Sequence, residues 1–272
     1  MKKNIIGILV LFIFALTTLT IIFVIIIQKS PSIIKEEGPT EITNDSKSTI
    51  SIDLNDDRVI DQISYQISRA KGEMDLFLLH VNGLRVEIEG ENLKSDIEIV
   101  DIDPTDSFKE IAVSDYGPSN DYRTFFYFYD GKNLISMGKT QGIPGLNMTF
   151  PGDGTFTTQT RGEILQTWFY EDQFRLTDAH LLENIPQDLY EMNTPIIVLQ
   201  SIPLQKSRTD TEQVAMLEIG EIATILSSDN KEWCLVETST GVQGWFAVEN
   251  FNIIKDTNLS STDVFEGLSM AD

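Results

Sequence analysis

After residue 50 the chain reads mostly in strand periods. Leu84, Val86 and Ile88 alternate with Arg85, Glu87 and Glu89, the period-two pattern of a strand with one buried face. Asn82-Gly83 directly before them marks a tight hairpin, because both residues tolerate positive φ. Residues 124–129 read TFFYFY, stop at Asp130-Gly131 and resume at Leu134, Ile135 and Met137, which predicts a second hairpin. A third is predicted from residues 163–170 through Glu171-Asp172 into residues 173–176. Few stretches hold a helical period long enough to compete. The aromatic run 125–129 reads as a core strand with one ring face exposed rather than as a binding platform.

A second series of short strands runs over residues 196–199, 214–217, 222–226, 233–237 and 244–248. Polar turns at Ser227-Ser-Asp-Asn230 and Ser239-Thr-Gly241 punctuate it, and so many short strands in so short a stretch predict a small barrel. The final residues, DTNLSSTDVFEGLSMAD, are polar and acidic and are expected to be disordered, with Val264-Phe265 packing back weakly.

The N-terminus breaks this pattern. Residues 5–27 read IIGILVLFIFALTTLTIIFVIII, with no charge and no proline. As a helix the run would measure about 34 Å, enough for a hydrocarbon core of about 30 Å. A lone span in lipid must satisfy its own backbone, which a helix does. Lys2 and Lys3 precede it, and Lys29 and Lys35 follow, so the charge signal for orientation is nearly balanced. The short lysine-bearing tail favours a body outside the cytoplasm. A cleaved signal peptide is the rival reading, but its apolar core would be shorter and followed by an A-x-A-like site. The expected organisation is a single-pass membrane anchor (1–28), a linker broken by Pro31, Gly38 and Pro39 (29–49), a β domain (50–189), a small barrel (194–255) and a tail (256–272). The fold class is thus mainly β behind one N-terminal transmembrane helix.

Charge and composition narrow the function classes. The net charge of the 272 residues is -22, from 42 acidic and 20 basic side chains. That argues against nucleic acid or anionic lipid as partners, both being polyanions. The single cysteine, Cys234, excludes an intrachain disulfide and, with no Cys or His near it in sequence, reads as a buried structural thiol. A bacterial surface protein fits better than a disulfide-built ectodomain. The two histidines, His80 and His180, exclude a three-histidine metal site. There is no G-x-S-x-G elbow, Walker loop or Rossmann glycine pattern. The expectation is a protein without catalytic residues, a cell-wall hydrolase being the residual alternative.

The informative motif is Asp53-Leu-Asn-Asp-Asp-Arg-Val-Ile-Asp61. Calcium takes about six to eight oxygen ligands. Asp53, Asn55, Asp57 and Asp61 offer side-chain oxygens at alternate positions, and Val59 offers its carbonyl. Ser64 stands where an EF-hand needs its glutamate, and Arg58 where such a loop turns on glycine. A looser copy follows, in which Asp101, Asp103, Asp106 and Glu110 take the acidic positions with one inserted residue. At these residues the chain resembles the FG-GAP/VCBS repeats of integrin-α-like propellers and bacterial surface proteins, which carry D-x-[DN]-x-D-G-x-x-D between two strands. The resemblance implies blade-like antiparallel repeats and structural Ca2+. Residues 48–185 hold about three such units, fewer than the roughly four to eight of a closed propeller. A partial propeller, a sandwich or part of an oligomeric ring all suit.

The later region resembles the bacterial SH3 domain, through Leu217-x-x-Gly220, Trp233 opening a strand, and Gly244-Trp245-Phe246 after a hairpin. The family's usual opening string is replaced by Leu204-Gln-Lys-Ser-Arg208. The resemblance implies binding of cell wall (peptidoglycan) or a surface protein in a groove, with Trp233, Trp245 and Phe246 as candidate contacts. At least two of these three are expected in the barrel core instead. The functional expectation is a membrane-tethered, extracytoplasmic, calcium-stabilised binding protein. The alternative is a sensory or regulatory accessory subunit that docks other membrane proteins.

Overall fold

The computed structural model describes residues 43–44, 48–69, 74–119 and 121–270. The alternating run around Val86 is one strand of a five-stranded antiparallel sheet: β1 (Thr43–Asn44), β2 (Ser48–Ile52), β3 (Asp61–Arg69), β4 (Asp75–Val81) and β5 (Leu84–Gly90). β1 and β2 both pair with β3, and β3, β4 and β5 follow as a meander. Asn82 and Gly83 turn β4 into β5 with φ of 48° and 87°, as the hairpin signal requires. Ile63, Ile67, Phe77, Leu79 and Val81 are buried. Gln62, Arg85, Glu87 and Glu89 are exposed on the opposite face, where Leu76 and Leu78 are half-buried among them.

The second sheet holds β6 (Glu98–Val100), β7 (Glu110–Asp115), β8 (Arg123–Tyr129) and β9 (Leu134–Gln141), and the third holds β10 (Met148–Thr149), β11 (Thr155–Arg161), β12 (Phe169–Leu176) and β13 (Leu182–Asn184). Both are antiparallel and run in chain order. The three sheets stack. Ile111, Val113, Tyr127 and Tyr129 of the middle sheet share a core with the first. Ala112, Phe126, Phe128 and Met137 share another with Met148 and Phe156 of the third. A sheet covered on both sides needs apolar residues at every position, which is why TFFYFY shows no alternation. Phe126 through Tyr129 are all buried, and Phe125 alone of the aromatic run is half-buried, with Lys139 over its ring.

The expected hairpin over residues 163–176 is also corrected. β12 is one continuous strand paired along β11, with Glu171 opposite Gln159 and Asp172 opposite Thr158, so Glu171-Asp172 is no turn. The chain reverses earlier, where Ile164, Leu165 and Trp168 are buried. Gln159, Glu171 and Arg175 on the far face of this sheet are exposed. Successive sheets are stitched by matching backbone bonds: Lys109 N–H donates to the Leu54 carbonyl at 2.9 Å, and Gly154 N–H to the Ile102 carbonyl at 3.1 Å.

The remaining chain forms a nine-stranded antiparallel arrangement: β14 (Tyr190–Val198), β15 (Ile202–Ser207), β16 (Asp210–Leu217), β17 (Ile222–Ser228), β18 (Trp233–Glu237), β19 (Gln243–Glu249), β20 (Ile253–Ile254), β21 (Leu259–Ser260) and, after the four-residue helix α1 (Ser261–Val264), β22 (Phe265–Glu266). One core gathers Ile196, Leu204, Ile225, Val236, Phe246 and Phe265. Ile164, Leu165 and Trp168 enter the same core. Leu165 is tied there by its N–H to the Phe251 carbonyl at 2.6 Å, and its own carbonyl accepts the Ser261 hydroxyl at 2.8 Å. Residues 41–272 accordingly form one compact unit, with no break at 189–194.

Two expectations change here. Residues 256–270 are not a loose tail: β22 pairs with β14, and Val264 and Phe265 are fully buried. Two large apolar side chains in a closed core outweigh the polar composition around them. The single transmembrane helix is not supported either. Among the described residues no helix is long and apolar enough to cross a membrane, and the only one, α1, has four residues. Residues 5–27 and the start of the linker lie outside the described residues. The fold class is mainly β, built of several antiparallel sheets.

Candidate functional site

Strand alternation sorts the aromatic candidates of β18 and β19. Cys234 pairs with Phe246 and Leu235 with Trp245, so Trp233, Leu235 and Trp245 share one face while Cys234, Val236 and Phe246 share the other. The second set is buried; Trp233 and Trp245 are half-buried. Only Phe246 is a core residue, its ring 5.4 Å from that of Phe265. The expectation that at least two of the three fill the core is corrected. The inward positions of these strands are already taken by Cys234, Val236 and Val248, which leaves both indoles on the outer face.

Beside the indoles lies a groove of about 440 Å³, bordered by Pro203, Arg208, Trp233, Trp245, Lys255 and Thr257. The Arg208 guanidinium lies over the Trp245 ring, 5.4 Å from its centroid. Both carboxylate oxygens of Asp188 accept from it, at 2.8 and 2.7 Å, and Asp229 stands 3.8 Å away. Held in this way, the guanidinium stays over the indole. Lys255 pairs with Glu232 at 2.5 Å on the same border. The groove therefore offers two half-buried indole faces and two cations already paired with carboxylates, with Asp256 also on its border. Sequence reasoning missed Arg208 and Asp188. Arg208 ends the string that departs from the SH3 pattern, and Asp188 lies at the very end of the preceding β domain, so neither carried a local signal.

The acidic loops present a different geometry. In the first, between β2 and β3, the Asp53 carboxylate accepts from Asn55 N at 3.3 Å and Arg58 N at 2.8 Å, and Asp57 accepts from Val59 N at 2.7 Å. Asp56 and Arg58 have φ of 52° and 67°. Arg58 thus takes the left-handed conformation for which the motif uses glycine. Asn55 Oδ1 is buried without a partner, as an oxygen awaiting a cation would be. Asp61 is committed elsewhere, accepting from Leu54 N at 2.8 Å and Asn82 Nδ2 at 2.6 Å. Among the described residues no three His, Cys, Asp or Glu side chains converge as a metal set. The first loop fits calcium in part, through Asp53, Asn55 and Asp57.

In the second loop Glu110 repeats the role of Asp61, accepting from Ile102 N at 3.0 Å. Asp103 accepts from the Thr105 hydroxyl at 2.6 Å and from Thr105 N at 3.0 Å, which holds its carboxyl below the ordinary range. Asp106 accepts from Phe108 N at 2.7 Å. Asp101 Oδ1 is buried without a partner. His180 then closes the loop. Its Nε2 lies 2.7 Å from Glu110 and its Nδ1 3.4 Å from Asp106, with the ring against Phe108 and Phe128. The imidazole stands between Asp106 and Glu110 and partners both, which leaves Asp101 and Asp103 as the loop's other carboxylates.

Comparison of the chain with protein-family models, with curated proteins and with solved structures returns no match.

Proposed function

We propose that the protein is an extracytoplasmic, non-enzymatic binding protein whose nine-stranded region holds a cell-wall peptide in the groove beside Trp245. The Arg208–Trp245 stack carries this reading. Aromatic faces supply contact area at low entropic cost, and a guanidinium fixed by Asp188 holds the Trp245 face in place for the amide groups of a peptide. Peptidoglycan stem and cross-bridge peptides offer such amides, and the resemblance of residues 217–246 to bacterial SH3 domains points the same way. Asp53, Asn55 and Asp57 would hold calcium that staples the β2–β3 loop and takes no part in chemistry. The resemblance of that loop to FG-GAP/VCBS repeats supports the assignment.

Sedimentation of the full chain with purified peptidoglycan tests the reading. The parent protein should co-sediment, and Trp245→Ala and Arg208→Ala should remain in the supernatant. No enrichment of the parent, with or without calcium, rejects wall binding.

A second reading, an accessory subunit that docks other surface proteins, draws on an apolar patch. Ile197 pairs with Ile222, and with Leu199 and Ile219 these side chains are exposed on one side of the same region. Crosslinking in cells would then capture defined protein partners through this patch and no wall fragments.

A further inference from the structure

The groove beside Trp245 holds a second indole in different surroundings. The Trp245 ring is taken by the Arg208 guanidinium. Trp233 is half-buried, borders the same groove, and among the described residues has no cation over its ring. Register fixes its neighbours. Trp233 pairs with Ala247 across β18 and β19, and the Ala247 carbonyl accepts from Lys255 N–H at 3.0 Å. The row Trp233, Ala247, Lys255 thus runs across the outer face to the turn that carries Asp256. Ala247 is the one small side chain of the row, and it too borders the groove.

Charge decides what this end can hold. Both cations on the border are already engaged: Arg208 by Asp188 at 2.7 Å with Asp229 at 3.8 Å, and Lys255 by Glu232 at 2.5 Å. Glu249 adds to the negative field at Lys255. Asp256 is exposed on the border and makes no hydrogen bond or ion pair among the described residues. An incoming carboxylate would find no cation to itself and would meet a surplus of negative charge. An incoming ammonium would find a carboxylate without a partner and an indole face without a cation, the two groups that favour it.

We propose that this end of the groove seats a free primary ammonium of the bound peptide, over Trp233 and against Asp256. The inference rests on peptide binding in the groove and adds the group that the groove selects. An acylated amine is a neutral amide, so the seat separates chains with a free amine from those whose amine is joined to another chain. Asp256 has a φ of 65°, a conformation that asparagine also accepts, so Asp256→Asn removes the charge and keeps the turn.

Sedimentation of the full chain with purified peptidoglycan, untreated or acetylated at its amines with acetic anhydride, tests the seat. Acetylation should weaken binding about tenfold. Asp256→Asn should weaken binding to the untreated wall several-fold, towards the acetylated level, with an unchanged melting temperature. Two competitors separate the sources of the ammonium: acetyl-Ala-Lys-Ala-amide offers only a side-chain amine, and Gly-Gly-Gly-amide only an α-amine. Competition by either supports the seat and names its source; competition by neither overturns it. Equal binding of untreated and acetylated wall overturns the proposal and leaves wall binding standing. So does an Asp256→Asn variant that binds untreated wall as the parent does. No sedimentation with either wall rejects peptide binding, and this seat with it.

Discussion

His180 Nε2 stands 2.7 Å from Glu110 Oε1, joining side chains 70 residues apart at the junction of the second and third sheets. Glu110 has no solvent exposure; its other oxygen accepts only from the Ile102 amide. Removing the imidazole strands a buried carboxylate. His180→Ala should therefore lower unfolding stability by about 2–4 kcal/mol, measured by urea denaturation. Adding Glu110→Gln should recover part of the loss. A loss within the range of an exposed ion pair, below about 1 kcal/mol, would refute this account of the contact.

Arg58 holds a left-handed φ of 67°, a conformation costing a residue with a Cβ roughly 1–2 kcal/mol. Glycine avoids that cost but gains unfolded-state entropy. Arg58→Gly should raise stability by up to about 1 kcal/mol, read as a higher melting temperature. An unchanged or lower melting temperature would show that the arginine side chain compensates for its backbone.

Calcium should raise the melting temperature of the parent protein through mass action. Asp57→Ala should abolish most of the rise, whereas Asp106→Ala should preserve it, because His180 already partners that carboxylate. The opposite order of effects would reverse the assignment of the two loops.

Burial pushes the Cys234 thiol from its ordinary 9.0 up to about 12. The thiolate is the reactive form, so thiol reagents at pH 8 should label the protein only after denaturation. The folded state favours the protonated thiol. Its contribution to stability is therefore complete below pH 9 and is lost as pH rises towards about 12. Rapid labelling of folded protein at neutral pH would contradict the burial.

Phe126 and Phe169 offer a paired test of the stack. Phe126 is fully buried between the second and third sheets, and Phe169 is exposed. Phe126→Ala should cost about 3–5 kcal/mol. Phe169→Ala should stay within about 0.5 kcal/mol, by the same denaturation assay.

The hairpin at Asn82-Gly83 was legible because its backbone demand is local: few residue types accept both positive φ angles. The loop at Asp53 was legible for the same reason, since its Asx-type bonds span only a few residues. The misreadings come from long-range causes. Glu171-Asp172 looks like a turn until β11 supplies a partner on each side of it. Val264-Phe265 looks like a tail until β14 lies beside it. The Arg208–Asp188 and His180–Glu110 contacts depend on tertiary placement that no period or spacing encodes. TFFYFY was read as strand, but its second covered face belongs to the third sheet.

The exposed polar positions described on the outer faces of the first and third sheets set a limit on growth. Gln62, Arg85, Glu87 and Glu89 close one end of the three-layer stack, and Gln159, Glu171 and Arg175 close the other. A fourth layer laid on either would strip water from charges at a cost of several kcal/mol per ion. The stack is thus terminated on both sides. Among the described residues these charged positions disfavour stacking a further sheet on either outer face, which directs contact between copies to the sheet edges or the nine-stranded region.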